Sequence, residues 1–261
     1  MPSCTILTYH MIDAPRAASE APYCCDPRSF AAQMRYLRES GYTVIGMPAL
    51  LDCIDGRSPW PARAVAITFD DGVSCCHERA LPILAEHGLP ATVFVISGLL
   101  DSDNEWMVAE GHPRRRMLTR AELAALDRAG IEIGSHTRRH VRLGRAPAAE
   151  IASELRESKA QLEDLLAKPV RFFAYPYGSF DARARDAVEA AGYLAACSTI
   201  QGRNRPATDR FVLRRVAVDG GDTLAQFRAK LWLGSSARTH LRAAARALLA
   251  RAGLLPPKSY A

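Results

Sequence analysis

Short apolar segments alternate with amphipathic segments along most of the chain. The apolar segments are rich in Val, Ile, Phe and Ala and have the length of buried strands. We predict seven or eight strands, at residues 5–9, 42–45, 64–69, 91–96, 131–134, 172–175, 194–198 and 212–218. This alternation predicts an α/β fold with a largely parallel sheet.

The intervening segments carry helix start and stop signals. Asp26 before Pro27 is a predicted N-cap, and that helix is expected to stop at Gly41. Thr119 followed by Glu122 predicts a capping box, and residues 147–168 predict a longer helix with one apolar face. Each connection between strands is therefore long enough for a parallel crossover.

Composition narrows the class of protein. The 261 residues are 48% hydrophobic and 24% charged, which excludes disordered, collagen-like and coiled-coil chains. The net charge is +6, but much of it falls in residues 203–251 and no aromatic residues interleave with the basic runs. We therefore expect no nucleic-acid partner.

Cysteine usage and the N-terminus suggest a compartment. Seven cysteines, an odd number without a CxxC pair, predict reduced thiols. No basic residue precedes the first apolar stretch, and no run approaches the roughly 18 apolar residues of a membrane span. We expect a cytoplasmic protein.

We divide the chain into a main domain, residues 1–221, and a basic helical extension, residues 222–261. Five apolar residues of the extension share one predicted face: Phe227, Leu231, Leu241, Leu248 and Leu249. Packing against the main domain or a second subunit is the favoured role of that face. Peripheral contact with an anionic membrane is the alternative.

Polar side chains with metal-site chemistry follow two predicted strands. Asp70, Asp71 and Gly72 end one strand, and the glycine allows a turn that brings both carboxylates to one site. His136 and His140 follow another strand, at a spacing that suits a metal. Two histidines and one aspartate leave coordination positions open, which is typical of catalytic sites.

A third segment, residues 171–178, also runs from a strand into a turn. Arg171 offers a partner for a carboxylate, and the turn Pro176-Tyr177-Gly178 offers a backbone N–H to a cleft. The long segment 97–118 interrupts the alternation, and its Trp106 is expected either to line the cleft or to anchor the segment.

These three segments, in this order, resemble the polysaccharide deacetylases, carbohydrate esterase family four with the NodB-homology domain, over about residues 5–220. The resemblance implies a distorted (β/α) barrel of about seven strands and a divalent metal held by Asp71, His136 and His140. It further implies Asp70 as general base and the backbone N–H of Tyr177 as oxyanion donor. Tyr175, Pro176 and Trp106 are expected to contact the substrate.

Two roles in this scheme depend on further assumptions. Arg171 is expected to pair with Asp70 and keep it ionised, with a structural ion pair at the barrel edge as the plainer alternative. The family's late histidine acid is missing, since no histidine follows Gly178 until His240. The Tyr9-His10 pair resembles that of the exopolysaccharide branch, so we assign His10 as general acid, with Asp70 or water as the alternative proton source.

The expected substrate is an N-acylated amino sugar in a glycan or in a lipid- or nucleotide-linked precursor, and the run Arg114 to Arg116 could hold a phosphate of such a precursor. Two other functions stay open: hydrolysis of another C–N bond, in a formamide or cyclic ureide, and sugar binding without catalysis. Zinc is the default metal, although the same ligands accept cobalt, nickel, manganese or iron.

Overall fold

The computed structural model describes residues 1–235, which form a barrel of parallel strands with helices outside it. The elements in chain order are β1 (Cys4–Tyr9), β2 (Met11–Ile12), β3 (Cys24–Cys25), α1 (Pro27–Glu39), β4 (Thr43–Val44), α2 (Met47–Ile54), β5 (Ala64–Phe69), α3 (Leu81–His87), β6 (Thr92–Val95), α4 (Glu105–Ala109), α5 (Arg120–Arg128), β7 (Glu132–Ser135), α6 (Ala148–Leu166), β8 (Phe172–Ala174), α7 (Ala182–Ala190), β9 (Ala195–Cys197), β10 (Arg215–Ala217) and α8 (Leu224–Leu233).

Seven strands form the barrel in the order β10-β1-β5-β6-β7-β8-β9, and every neighbouring pair is parallel. The ring nearly closes because Leu213, just before β10, bridges Cys197 of β9 in parallel. The predicted (β/α) barrel of about seven strands is therefore confirmed. The predicted strand at residues 42–45 shortens to β4, which pairs with β5 outside this ring.

Burial explains why the strands read as continuous apolar runs. All six residues of β1 and all six of β5 are buried, since the barrel interior covers one face and helices cover the other. The predicted helix ends are also present. The Asp26 side chain accepts from the backbone N–H groups of Arg28 and Ser29, and Thr119 and Glu122 form a reciprocal capping box.

The first helix of the predicted extension packs on the barrel. In α8, Phe227 and Leu231 are buried in the main core, and the Phe227 ring lies 6.4 Å from that of Tyr36 on α1. The buried Lys230 ammonium donates to Asp219 and Asp222. Leu241, Leu248 and Leu249, the rest of the predicted apolar face, lie outside the described residues. No described helix is long and apolar enough to cross a membrane.

Candidate active site

The carboxyl ends of the parallel strands meet at one rim of the barrel and place the predicted polar residues there. His10 follows β1, Asp70 and Asp71 follow β5, His136 follows β7 and Tyr175 follows β8. Together they line one cavity of about 410 Å³. Residues from separate strands therefore converge because the strands run in the same direction.

Asp71, His136 and His140 form a compact cluster. Asp71 Oδ1 lies 3.4 Å from His136 Nε2 and 3.4 Å from His140 Nε2, and all three side chains are buried. Their candidate ligand atoms lie within 4.8 Å of one another. Two imidazole nitrogens and a carboxylate suit a divalent transition metal, and three protein ligands leave coordination positions open.

The surroundings of the two imidazoles favour the form that binds a metal. His136 Nδ1 lies 2.8 Å from the carbonyl oxygen of Ala174, so an Nδ1–H donor there leaves the Nε2 lone pair facing Asp71. Burial lowers the pKa of His140 to about 3, which keeps its ring neutral. The donor set thus fits the metal that the sequence predicts.

The backbone at this rim is held in an unusual conformation. Asp71, Thr137, His140 and Tyr177 all have positive φ, between 57° and 72°. Such conformations cost roughly 1–3 kcal/mol each in residues other than glycine and tend to cluster at functional sites. At Gly178, where φ is +63°, a Cβ atom would lie 1.9 Å from Thr199 Oγ1, so this turn also requires glycine.

Asp70 forms a buried, bidentate ion pair with Arg215. Arg215 Nη1 and Nη2 donate to Asp70 Oδ1 and Oδ2, each at 2.7 Å, and Arg215 is 2% exposed. Burial by itself raises the pKa of Asp70, but the charge and hydrogen bonds of Arg215, together with the nearby His136 and His10, hold the pKa below its ordinary value. Asp70 is therefore an ionised carboxylate beside the Asp71, His136 and His140 cluster.

The predicted pair between Arg171 and Asp70 is wrong. Arg171 precedes β8, so it lies at the amino end of the strand, whereas Asp70 follows the carboxyl end of β5. Arg171 instead donates to Glu132, at the start of β7, at 3.2 Å. This is the structural ion pair that the sequence analysis kept as the alternative.

The role of Arg215 was not predicted from the sequence, although a signal was present. Arg214 and Arg215 interrupt the apolar run 211–218, and arginine is almost never buried in a strand without a partner. Alternation along a strand places one arginine outside and the other inside the barrel. In the structure Arg214 is exposed and Arg215 is buried.

Most of the other residues predicted to act on or contact the substrate line the cavity, and one of them does not. His10, Trp106, Tyr175 and Tyr177 line the cavity, and the rings of Trp106 and Tyr177 lie 4.8 and 4.4 Å from that of His140. Pro176 is buried in the turn and is not among the cavity-lining residues. Its role is therefore to shape the turn rather than to face the cavity.

Further residues that carry no sequence motif line the same cavity, among them Tyr23, Glu110 and Arg142. The Arg142 guanidinium stacks over the Tyr177 ring at 3.3 Å, and Tyr177 Oη donates to Glu110 at 3.3 Å. Single polar residues in irregular segments have no periodic signal, so only the folded structure brings them to the cleft.

Comparison with known proteins gives the family. The family model described as polysaccharide deacetylase matches residues 57–196, more than half of the chain. The chain belongs to the polysaccharide deacetylase family. Among similar members, YxkH of Bacillus subtilis (strain 168), which carries a polysaccharide deacetylase name, is 28% identical over 217 residues, covering 83% of this chain and 71% of its own.

Two other proteins are similar to the chain in sequence or in fold. The poly-beta-1,6-N-acetyl-D-glucosamine N-deacetylase of Staphylococcus aureus (strain N315) is 24% identical over 221 residues, with 81% of this chain and 73% of its own covered. IcaB from Ammonifex degensii shares the fold, with a TM-score of 0.77 at 24% identity over 90% of this chain and 97% of its own. The predicted membership of the polysaccharide deacetylases is confirmed.

Proposed function

We propose that this chain is a metal-dependent deacetylase that hydrolyses the N-acetyl group of an amino sugar in a glycan or glycan precursor. One observation carries the proposal: three buried ligand atoms within 4.8 Å of one another lie beside an ionised carboxylate held by a buried arginine. Membership of the polysaccharide deacetylase family supports the same reaction class.

Asp71, His136 and His140 would hold the metal, with zinc as the default ion. When bound at such a site, a divalent metal lowers the pKa of water and polarises the amide carbonyl. Asp70 takes the proton of the attacking water, because Arg215 keeps this carboxylate ionised while leaving lone pairs free on its oxygens. The Tyr177 backbone N–H, in the turn at the cavity, donates to the developing oxyanion.

An amide nitrogen leaves poorly as an anion, so the reaction also needs an acid. His10 lines the cavity with Asp70 and Asp71, and we assign it to protonate the leaving amine. Trp106 and Tyr177, whose rings both contact His140, offer aromatic surface to the sugar. The product is a free amino sugar and acetate.

The cysteines, the run Arg114 to Arg116 and helix α8 bear on the proposed compartment and partners. All seven cysteines are buried and none forms a disulfide, which supports a reducing cytoplasm and a lipid- or nucleotide-linked precursor as substrate. Arg115 does not supply the suggested phosphate site, because its buried guanidinium pairs with Glu20, and Arg114 and Arg116 each pair with a carboxylate. Packing of α8 on α1 supports the packing role for the start of the extension.

The test is acetate release from a panel of N-acetylated glycans, formylated sugars and cyclic ureides, after reconstitution with each candidate metal. We expect release from N-acetylated amino sugars, a large loss in Asp70→Asn and a smaller loss in His10→Ala. Turnover of ureides or formamides alone would favour the second C–N hydrolase function. Sugar binding without any turnover would favour the inactive barrel.

A further inference from the structure

Two irregular segments form one wall of the cavity. Residues 10–25, which follow β1, carry His10 and Tyr23, and residues 104–115 carry Trp106 and His112. The Tyr23 ring contacts both histidine rings, at 5.4 Å from the His10 ring and 6.1 Å from the His112 ring. Tyr23 therefore links the His10 ring to the segment that carries His112.

Little regular structure holds these segments. The first contains the two-residue pairing of β2 with β3 and one 3-10 turn at Ala18–Glu20, and the second contains α4, a helix of five residues. In the described part of the chain, no backbone hydrogen bond joins one segment to the other. Side-chain contacts between them have to supply the rest.

Arg115 supplies those contacts to the first segment. Its Nε and Nη2 donate to the two carboxylate oxygens of Glu20 at 2.9 and 2.6 Å. Its Nη1 donates to Asp13 Oδ2 at 2.7 Å, and Nη2 also donates to the carbonyl oxygen of Ala14 at 2.9 Å. One guanidinium thus ties three points of the segment that carries His10 and Tyr23.

The backbone of Arg115 closes the second segment into a loop. The Arg115 N–H donates to Asn104 Oδ1 at 2.7 Å, and the Asn104 N–H donates back to the Arg115 carbonyl oxygen at 3.0 Å. Asn104 Nδ2 donates to the Pro113 carbonyl oxygen at 3.0 Å. Trp106 and His112 lie on this closed loop, so Arg115 joins both halves of the wall.

The environment of Arg115 differs from that of its neighbours. Arg115 and Glu20 are 2% and 0% exposed, whereas the Arg114 side chain is 63% exposed in its pair with Asp103. The hydrogen bond from Arg115 holds the pKa of Glu20 below its ordinary value, so both partners are charged. A buried ion pair is a poor source of stability but a good source of fixed geometry.

We propose that Arg115 is a positioning residue, which holds the His10 and Tyr23 segment against the Trp106 and His112 loop and so places His10 over the cleft. This role rests on the proposed function where it concerns activity. We call the contacts of Arg115 with the two segments the Arg115 clamp. The clamp is independent of the proposed function, because these contacts exist whatever reaction the site performs.

The first measurement is amide hydrogen exchange of wild type and Arg115→Met, with Arg114→Met as the matched control. We expect faster exchange in residues 10–25 and 104–115 in Arg115→Met, unchanged exchange in β5, β6 and β7, and the wild-type pattern in Arg114→Met. Unchanged exchange in both segments, or a rise spread evenly over the barrel strands, would overturn the clamp. This result does not depend on activity.

The second measurement is a double-mutant cycle in acetate release. We expect Arg115→Met to lower kcat about tenfold or more with bound metal unchanged, and to have less than about a twofold further effect in the His10→Ala background. Fully additive losses would overturn the positioning of His10. If Arg115→Met does not fold, Arg115→Lys replaces it, because lysine keeps the charge without the planar, bidentate donors.

Discussion

Replacement of Arg215 by methionine should damage both stability and catalysis, and replacement of Arg171 should damage neither. Arg215 and Asp70 are buried, with side chains 2% and 6% exposed, so removing the arginine leaves a buried carboxylate without a partner. Such a loss costs about 3–5 kcal/mol. Arg171 pairs with Glu132 at the surface, with side chains 41% and 15% exposed, where a pair contributes about 0–1 kcal/mol.

The assay combines urea denaturation with acetate release for wild type, Arg215→Met and Arg171→Met. Without Arg215, burial shifts the pKa of Asp70 upwards and the carboxylate loses the two donors that orient it, so kcat/KM should fall about 10²- to 10⁴-fold. The double variant Asp70→Asn with Arg215→Met should be more stable than the sum of the single losses predicts, because it leaves no buried charge unpaired. Equal effects of Arg215→Met and Arg171→Met on stability and kcat/KM would refute this reasoning.

The remaining predictions concern a surface pair, a turn and the metal. Hydrogen bonding to Arg116 lowers the pKa of Glu122 from 4.5 to about 2. Urea denaturation should therefore show that wild type is more stable than Glu122→Gln above pH 4.5 and that this difference shrinks as pH falls towards 2. A stability difference that does not change with pH would contradict this prediction. Gly178→Ala should lower the melting temperature and acetate release, because its Cβ would collide with Thr199, whereas Gly41→Ala, which has open space at the Cβ although φ is also positive, should keep acetate release unchanged. Treatment with a chelator should lower both the melting temperature and acetate release, and one equivalent of zinc should restore both; full activity after the metal is removed would contradict the proposed chemistry.

The sequence pattern was sufficient to predict a parallel α/β fold because its strands are buried on both faces and bounded by clear turn and cap residues, and the resemblance to polysaccharide deacetylases added the barrel of about seven strands. Asp26, Thr119 and Glu122 predict helix starts that the structure contains. The candidate metal ligands could also be predicted from the sequence, because residues that follow the carboxyl ends of parallel strands meet at one rim. Asp71, His136 and His140 needed only that topology to come together.

The ion pairs were harder to predict from the sequence, because they depend on which end of a strand a residue occupies and on neighbours distant in sequence. Arg171 belongs to a motif but lies at the amino end of β8, while Arg215 belongs to no motif but reaches Asp70 through the barrel interior. The run Arg114 to Arg116 looked like a phosphate site because its carboxylate partners come from other segments. Arg115, for example, pairs with Glu20, which is 95 residues away in the sequence.

The central claim is that Asp71, His136 and His140 hold one divalent metal, and metal content tests it most directly. Wild type, Asp71→Asn, His140→Ala and the control His87→Ala would be loaded with zinc, dialysed and analysed by plasma mass spectrometry. The account predicts about one zinc per chain in wild type and in the His87 control, and almost none in the Asp71 and His140 variants. A full equivalent of zinc retained by His140→Ala and by Asp71→Asn would contradict it.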